Sequence, residues 1–172
     1  MSDEASRTNL TKSIIEHLYC SGYSEIAECL EKESKIDLYS NDSKKKELFV
    51  DLATMITAIR NGEFETSLKW IEENRAKINP ASLFEWKIRR CQYCRMLLDG
   101  EFSLEELIAM SRLMTSCKKE QYLESKDSDA EEVGKLMTAL LFRKNLEANE
   151  SIFQLVNCFA NSLAEICDEL IR

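Results

Sequence analysis

Apolar residues recur along this chain at steps of three, four and seven. Between Leu48 and Leu98 three such runs follow one another. They are Leu48, Leu52, Met55, Ile56 and Ile59; then Phe64, Leu68, Ile71 and Ile78; then Phe84, Ile88, Cys91, Cys94 and Leu98. That spacing lays side chains along one helix face, whereas a strand would need strict alternation. The breaks make chemical sense. Asn61-Gly62 offers a left-handed helix stop, and Asn79-Pro80 brings in a residue without an amide donor. Ser82 and Glu85 then have the spacing of a capping box, which would restart the helix.

The same periodicity extends both ways. Leu10, Ile14 and Leu18 mark a first helix face, Gly22 a stop, and Ser24 a plausible cap. Tyr23, Ile26, Ala27 and Leu30 mark a second face. Two helices of about ten residues owe their stability to tertiary packing and cannot bury both faces on each other. Ile36 to Lys46 reads as a polar connector. Beyond Leu98, Asp99-Gly100 closes a helix, and Ser103 and Glu106 repeat the capping-box spacing ahead of Leu104, Leu107, Ile108 and Met114. Residues 117–129 are polar and read as an exposed loop. Val133, Leu136, Met137, Leu140 and Leu141 begin a further helix. Ile152, Leu155, Val156, Phe159, Leu163, Ile166 and Leu170 form one final stripe, too apolar to stand alone in water. The fold class is therefore all-α, an antiparallel helical bundle.

Composition supports this reading. Four glycines and one proline in 172 residues are too few for the turns of a sandwich or barrel. The net charge of −8 disfavours nucleic acid and anionic membrane as partners. No apolar run approaches a membrane span, and Met1 to Asn9 lacks the apolar centre of a signal peptide. A cytoplasmic or nuclear location is expected. The triplets beginning at Asn9, Asn41 and Asn149 are then chance matches to a glycosylation acceptor. Seven scattered cysteines form no disulfide framework.

Candidate chemistry is sparse. The single histidine, His17, has no partner set for nucleophilic catalysis. Cys91 and Cys94 form the only CxxC spacing, and with no second pair they read as core residues rather than zinc ligands. The glycines stand alone, so no phosphate-cradling loop exists. Glu105-Glu106 and Glu131-Glu132 sit at helix starts, where they suit the dipole. Lys44-Lys45-Lys46 reads as solvated. Trp70 and Trp86 fit either core filling or an exposed partner contact. No catalytic residue, cofactor or metal is expected.

Leu10, Ile14, Leu18, Gly22, Tyr23, Ala27, Leu30, Glu33 and Ser34 resemble the LisH motif, a helical dimerisation element, with His17 where many members carry Tyr. Ile56, Ile59, Arg60, Gly62, Ser67, Leu68, Trp70 and Ile71 resemble the CTLH motif that follows it. Phe84, Ile88, Arg89, Gln92, Tyr93 and Leu97 to Gly100 resemble the start of the CRA region. The chain is thereby identified as similar to the LisH–CTLH–CRA family, with LisH at 8–35, CTLH at 46–79 and CRA at 80–172. Leu83 to Ile88 and Met137 to Phe142 are most similar to the macrophage erythroblast attacher type of subunit.

The resemblance implies two lobes, one of LisH with the C-terminal CRA helices, the other of CTLH with the N-terminal CRA helices. It implies a non-catalytic scaffold of a CTLH/GID-type ubiquitin ligase complex, binding partners of its own family as a homo- or heterodimer. Two alternatives accompany it. One is a ligase subunit whose RING-like domain lies outside this chain; such a domain needs about eight Cys and His ligands for two zinc ions. The other is a LisH-containing cytoskeletal adaptor. Two surfaces are expected to bind partners. Leu10, Ile14, Leu18, Tyr23, Ile26, Leu30, Phe159 and Leu163 would serve the first, and Ile56, Ile59, Trp70 and Trp86 the second.

Overall fold

The computed structural model describes residues 2–39, 43–76, 78, 83–121 and 127–171. Among them every regular element is helical. In order they are α1 (Ser2–Cys20), α2 (Ser24–Ser34), α3 (Ser43–Arg60), α4 (Glu65–Asn74), α5 (Phe84–Asp99), α6 (Leu104–Gln121), α7 (Asp127–Ala139), α8 (Glu150–Ala160) and α9 (Leu163–Ile171). Two 3-10 turns, Leu140–Phe142 and Leu146–Ala148, join α7 to α8. The all-α expectation holds. The chain divides into two compact units, Met1–Ser67 and Leu68–Leu170, with the boundary inside α4.

In the first unit α1, α2 and α3 pack on one another. The α1–α2 turn shows why Gly22 sits where it does. Its φ is +78°, so its N–H reaches the Tyr19 carbonyl at 3.0 Å while that of Tyr23 reaches Leu18 at 2.9 Å. This pair of bonds is the Schellman motif. Gly62, at φ +79°, ends α3 with the same two bonds, to Ile59 and Ala58. The core beneath α1 and α2 is Ile15, Tyr19, Ala27 and Tyr39, flanked by Leu18, Leu30 and Phe49. Tyr19, Tyr39 and Phe49 form a ring trio with centroids 5.3–5.6 Å apart.

In the second unit α5 is the central helix. Phe84, Trp86, Ile88, Cys91, Tyr93, Cys94 and Leu97 are all buried, with α6 and α8 packed against them. Leu107 and Met114 of α6, Leu136 and Ala139 of α7, and Ile152, Val156 and Phe159 of α8 complete this core. A helix covered nearly all round needs apolar residues on several faces, not one stripe.

Several expectations need correction. The C-terminal helices α8 and α9 belong to the unit of α5, not to that of the LisH pair, because α8 puts its stripe onto Tyr93, Cys94 and Leu97. Helix α3 begins at Ser43, so Lys44 to Lys46 are helical rather than connector. The 117–129 loop is largely helix, since α6 runs to Gln121 and α7 starts at Asp127; residues 122–126 lie outside the described residues. The Asn79-Pro80 break and Ser82 also lie outside them, and α5 starts after Leu83 without a side-chain cap. Tyr23, not Ser24, occupies the α2 cap position, again without a side-chain bond. On α5 the buried leucine is Leu97, while Leu98 faces out. The final stripe is two helices, bent at Asn161 and Ser162. The Ser103–Glu106 capping box holds on both sides. Ser103 N–H donates to Glu106 Oε2 at 2.8 Å, and Glu106 N–H to Ser103 Oγ at 3.2 Å.

Candidate interaction surface

The α1–α2 pair carries apolar residues on two sides. Inward, Ile15 and Tyr19 of α1 and Ala27 of α2 fill the core. Outward, Leu10 and Ile14 stand one turn apart on α1, 63% and 43% exposed. Tyr23, at the α2 cap position, and Ile26 of α2 are 44% and 55% exposed. Leu18 and Leu30 lie between the two sides and are half-buried. An isolated exposed leucine needs no explanation, but rows of large apolar side chains on two packed helices do. Arg60 of α3 lies over the Tyr23 ring, 5.4 Å from its centroid.

A buried polar network fixes the pair from behind. The Glu31 carboxylate is 8% exposed and accepts three bonds. Tyr19 donates its hydroxyl at 2.9 Å, Lys46 its ammonium at 3.3 Å and Leu38 its N–H at 3.4 Å. Burial, aided by the Glu31 charge, pushes the Tyr19 hydroxyl up to about 12. Burial and the Glu16 charge push Tyr39 to about 12 as well. Burial would lower the Lys46 ammonium, but its bonds to Glu31 and Tyr19 outweigh that and raise it. A buried charge costs little only when paired and hydrogen-bonded, and Glu31 is both. The periodicity reading missed Glu31, Tyr19 and Ile15, because it followed the outer row of α1. The signal was the Ile15–Tyr19 spacing of four, one residue out of phase with Leu10–Ile14.

The other expected contact residues are placed differently. Ile56 and Ile59 are fully buried in the first unit. Ile56 lies against Gly22, where an added Cβ would come 2.7 Å from its Cδ1. Trp86 and Phe159 are buried in the second unit, where their rings flank the Arg90 guanidinium at 4.5 and 3.8 Å. Of the two readings open for Trp86, core filling is the one observed. Trp70 and Leu163 are half-buried. Only Leu10, Ile14, Tyr23 and Ile26 of the twelve are exposed large side chains, and all four lie on α1 or beside and within α2.

Cys91 and Cys94 sit inside the α5 core. Burial raises both thiols, Cys94 to about 12, and Cys91 Sγ meets the Ala160 carbonyl at 3.4 Å. Metal binding needs thiolates, which this setting disfavours. Among the described residues no group of three or more His, Cys, Asp or Glu could hold a metal ion. No described helix is long and apolar enough to cross a membrane.

Residues 3–40 match the WDR26 Lis-homology domain, and residues 48–172 match the CTLH/CRA C-terminal to LisH motif domain. Protein fyv10 of Neosartorya fischeri is 31% identical over 100 residues, which is 58% of this chain and 24% of that protein. E3 ubiquitin-protein ligase RMND5A of Xenopus tropicalis is 24% identical over 164 residues, 95% of this chain and 39% of that protein. The mouse protein of the same name gives the same figures. The chain thus spans well under half the length of these relatives. No solved structure matches it. A Lis-homology match over α1 and α2, followed by a match covering most of the remaining chain, establishes that the protein belongs to the CTLH/CRA C-terminal to LisH motif domain family.

Proposed function

We propose that this chain is a non-catalytic scaffold subunit of a CTLH/GID-type ubiquitin ligase complex, binding partners of its own family and so supporting ubiquitin-dependent degradation in the cytoplasm or nucleus. The observation that carries the reading is the set of exposed large apolar side chains, Leu10, Ile14, Tyr23 and Ile26, within the segment that matches the Lis-homology domain. Side chains of this kind anchor protein interfaces. Nucleic acid and membrane are not among the proposed partners, in keeping with the acidic charge.

A second reading has one observation in its favour. RMND5A, which the chain matches over 95% of its own length, is named an E3 ubiquitin-protein ligase. On that reading the chain takes part in ubiquitin transfer itself and engages a conjugating enzyme. Two assays on the purified chain separate the readings. The scaffold reading expects co-purification with family members, abolished by Ile14→Asp with Ile26→Asp, and no ubiquitin transfer when a conjugating enzyme is supplied. Transfer by this chain alone would overturn it, as would capture of family members unaffected by the double substitution.

A further inference from the structure

The second unit gathers exposed apolar residues at one end. Helix α6 folds back along α5, with Cys117 beside Glu85, so the joint at residues 100–103 lies at the opposite end of the pair. The Tyr93 hydroxyl donates to the Leu136 carbonyl at 3.2 Å and sets α7 beside the middle of α5. Six peptide links connect Gln121 to Asp127. They span at most about 22 Å, which keeps the start of α7 near the Glu85 end. Helix α7 therefore runs toward the α5–α6 joint, and Leu140 and Phe142 pack on the same core as Leu97 and Leu107. Leu98 at the end of α5, Phe102 in the joint, Leu104 at the start of α6 and Leu141 after α7 share this end. They are 37%, 37%, 41% and 80% exposed, and no other described large apolar side chain is as exposed as Leu141.

One exposed leucine is ordinary, but four large apolar side chains brought together from three stretches of chain mark a place of contact. The charge around them is one-sided. Residues 98–106 and 141–147 hold five carboxylates against two cations, Arg143 and Lys144. Asp99, Glu101 and Glu105 are exposed and have no ion pair among the described residues. The helix dipole accounts for Glu105 and Glu106 at the start of α6. It opposes Asp99, which stands at the C-terminal end of α5. An unpaired acid that its own helix disfavours adds nothing to the stability of the fold.

We propose that this end of the second unit docks a segment of another protein that presents apolar side chains together with Lys or Arg. The four apolar residues anchor it, and the acidic rim selects and orients it by charge complementarity. A second copy of this chain is disfavoured, because a two-fold contact would set Asp99, Glu101 and Glu105 against their own counterparts. The same rim repels nucleic acid and anionic lipid. This surface lies within the second unit and is independent of the α1–α2 surface.

The test uses the full chain and a fluorescein-labelled peptide of about 18 residues, or five helical turns, with leucines on one face and lysines on the other. A counterpart carries glutamate in place of lysine. Fluorescence anisotropy should show binding of the lysine peptide and not of the glutamate one, weakening as salt is added. Phe102→Ser with Leu141→Ser should weaken it about tenfold or more, and so should Glu101→Lys with Glu105→Lys. Two controls in the same unit, Leu113→Ser and Glu72→Lys with Glu73→Lys, should leave it unchanged. A photoreactive group on the peptide should label residues 98–105 and 141–144 of the native chain, a readout that needs no variant. Absence of binding, equal binding of the glutamate peptide, equal loss in the controls or labelling elsewhere would overturn the proposal. So would self-association of the chain that Phe102→Ser with Leu141→Ser abolishes, since a second copy would then be the occupant.

Discussion

Gly22 is the residue on which the α1–α2 pair depends most. Its backbone is left-handed, and its missing Cβ leaves room for Ile56, with Cδ1 only 2.7 Å from where that atom would be. Gly22→Ala should therefore cost both the backbone penalty and a shift of a fully buried side chain, about 2–5 kcal/mol together. Urea unfolding of the variant measures it, and an unchanged midpoint would show that the turn has slack. Glu31 is the opposite kind of residue, invisible to apolar periodicity yet bonded three times in the core. Patterns of apolar residues reveal which face is buried. They do not reveal which charged residue is buried with it, because that depends on donors seven, twelve and fifteen positions away in sequence.

Helices were legible wherever a single face was apolar and a stop signal followed. Gly22, Gly62 and Gly100 all end helices, in the left-handed conformation their positions required. The Ser103–Glu106 box starts α6 as its spacing predicted, and its bonds hold the Glu106 carboxyl below the usual range. Ser103→Ala should destabilise the second unit by about 1 kcal/mol, readable as a lowered thermal midpoint. No change would mean that packing alone fixes the start of α6. Starts without a side-chain cap were harder. Leu83 precedes α5 and Tyr23 precedes α2, and neither is a capping residue type. Asn149, read as a chance glycosylation match, caps α8 by accepting from Ile152 N–H at 3.2 Å. The lysines at the start of α3 looked like connector because charge hides periodicity, while Lys46 is a core-facing partner of Glu31. Assigning α9 to a unit was beyond periodicity, since its hold on α5 comes from glutamates paired with cations about eighty residues earlier.

Across both units, buried hydroxyls and thiols stay protonated. Tyr19 and Tyr39 are pushed from an ordinary 10 to about 12, Cys94 from 9 to about 12 and Cys117 from 9 to about 11, with burial the leading cause in each. Groups raised in the folded state bind protons more tightly there than when unfolded. Their stabilisation is complete below the unfolded values and is lost as pH climbs through the folded ones. Stability should hold up to about pH 9 and then fall steadily toward pH 12, which chemical denaturation at a series of pH values records. A stability that rises over that interval would contradict the burial of these groups. Each unit has a core of its own, and the large apolar side chains on the outer side of α1 and α2 are among those left exposed. Sedimentation equilibrium tests this most directly, comparing the native chain with Ile14→Asp, Ile26→Asp at tens of micromolar. Association is expected in the native chain, or in its mixture with a family partner, and is expected to be lost in the variant with helicity unchanged. A native chain that stays monomeric alone and with every family partner, or a variant that associates as strongly, would contradict it.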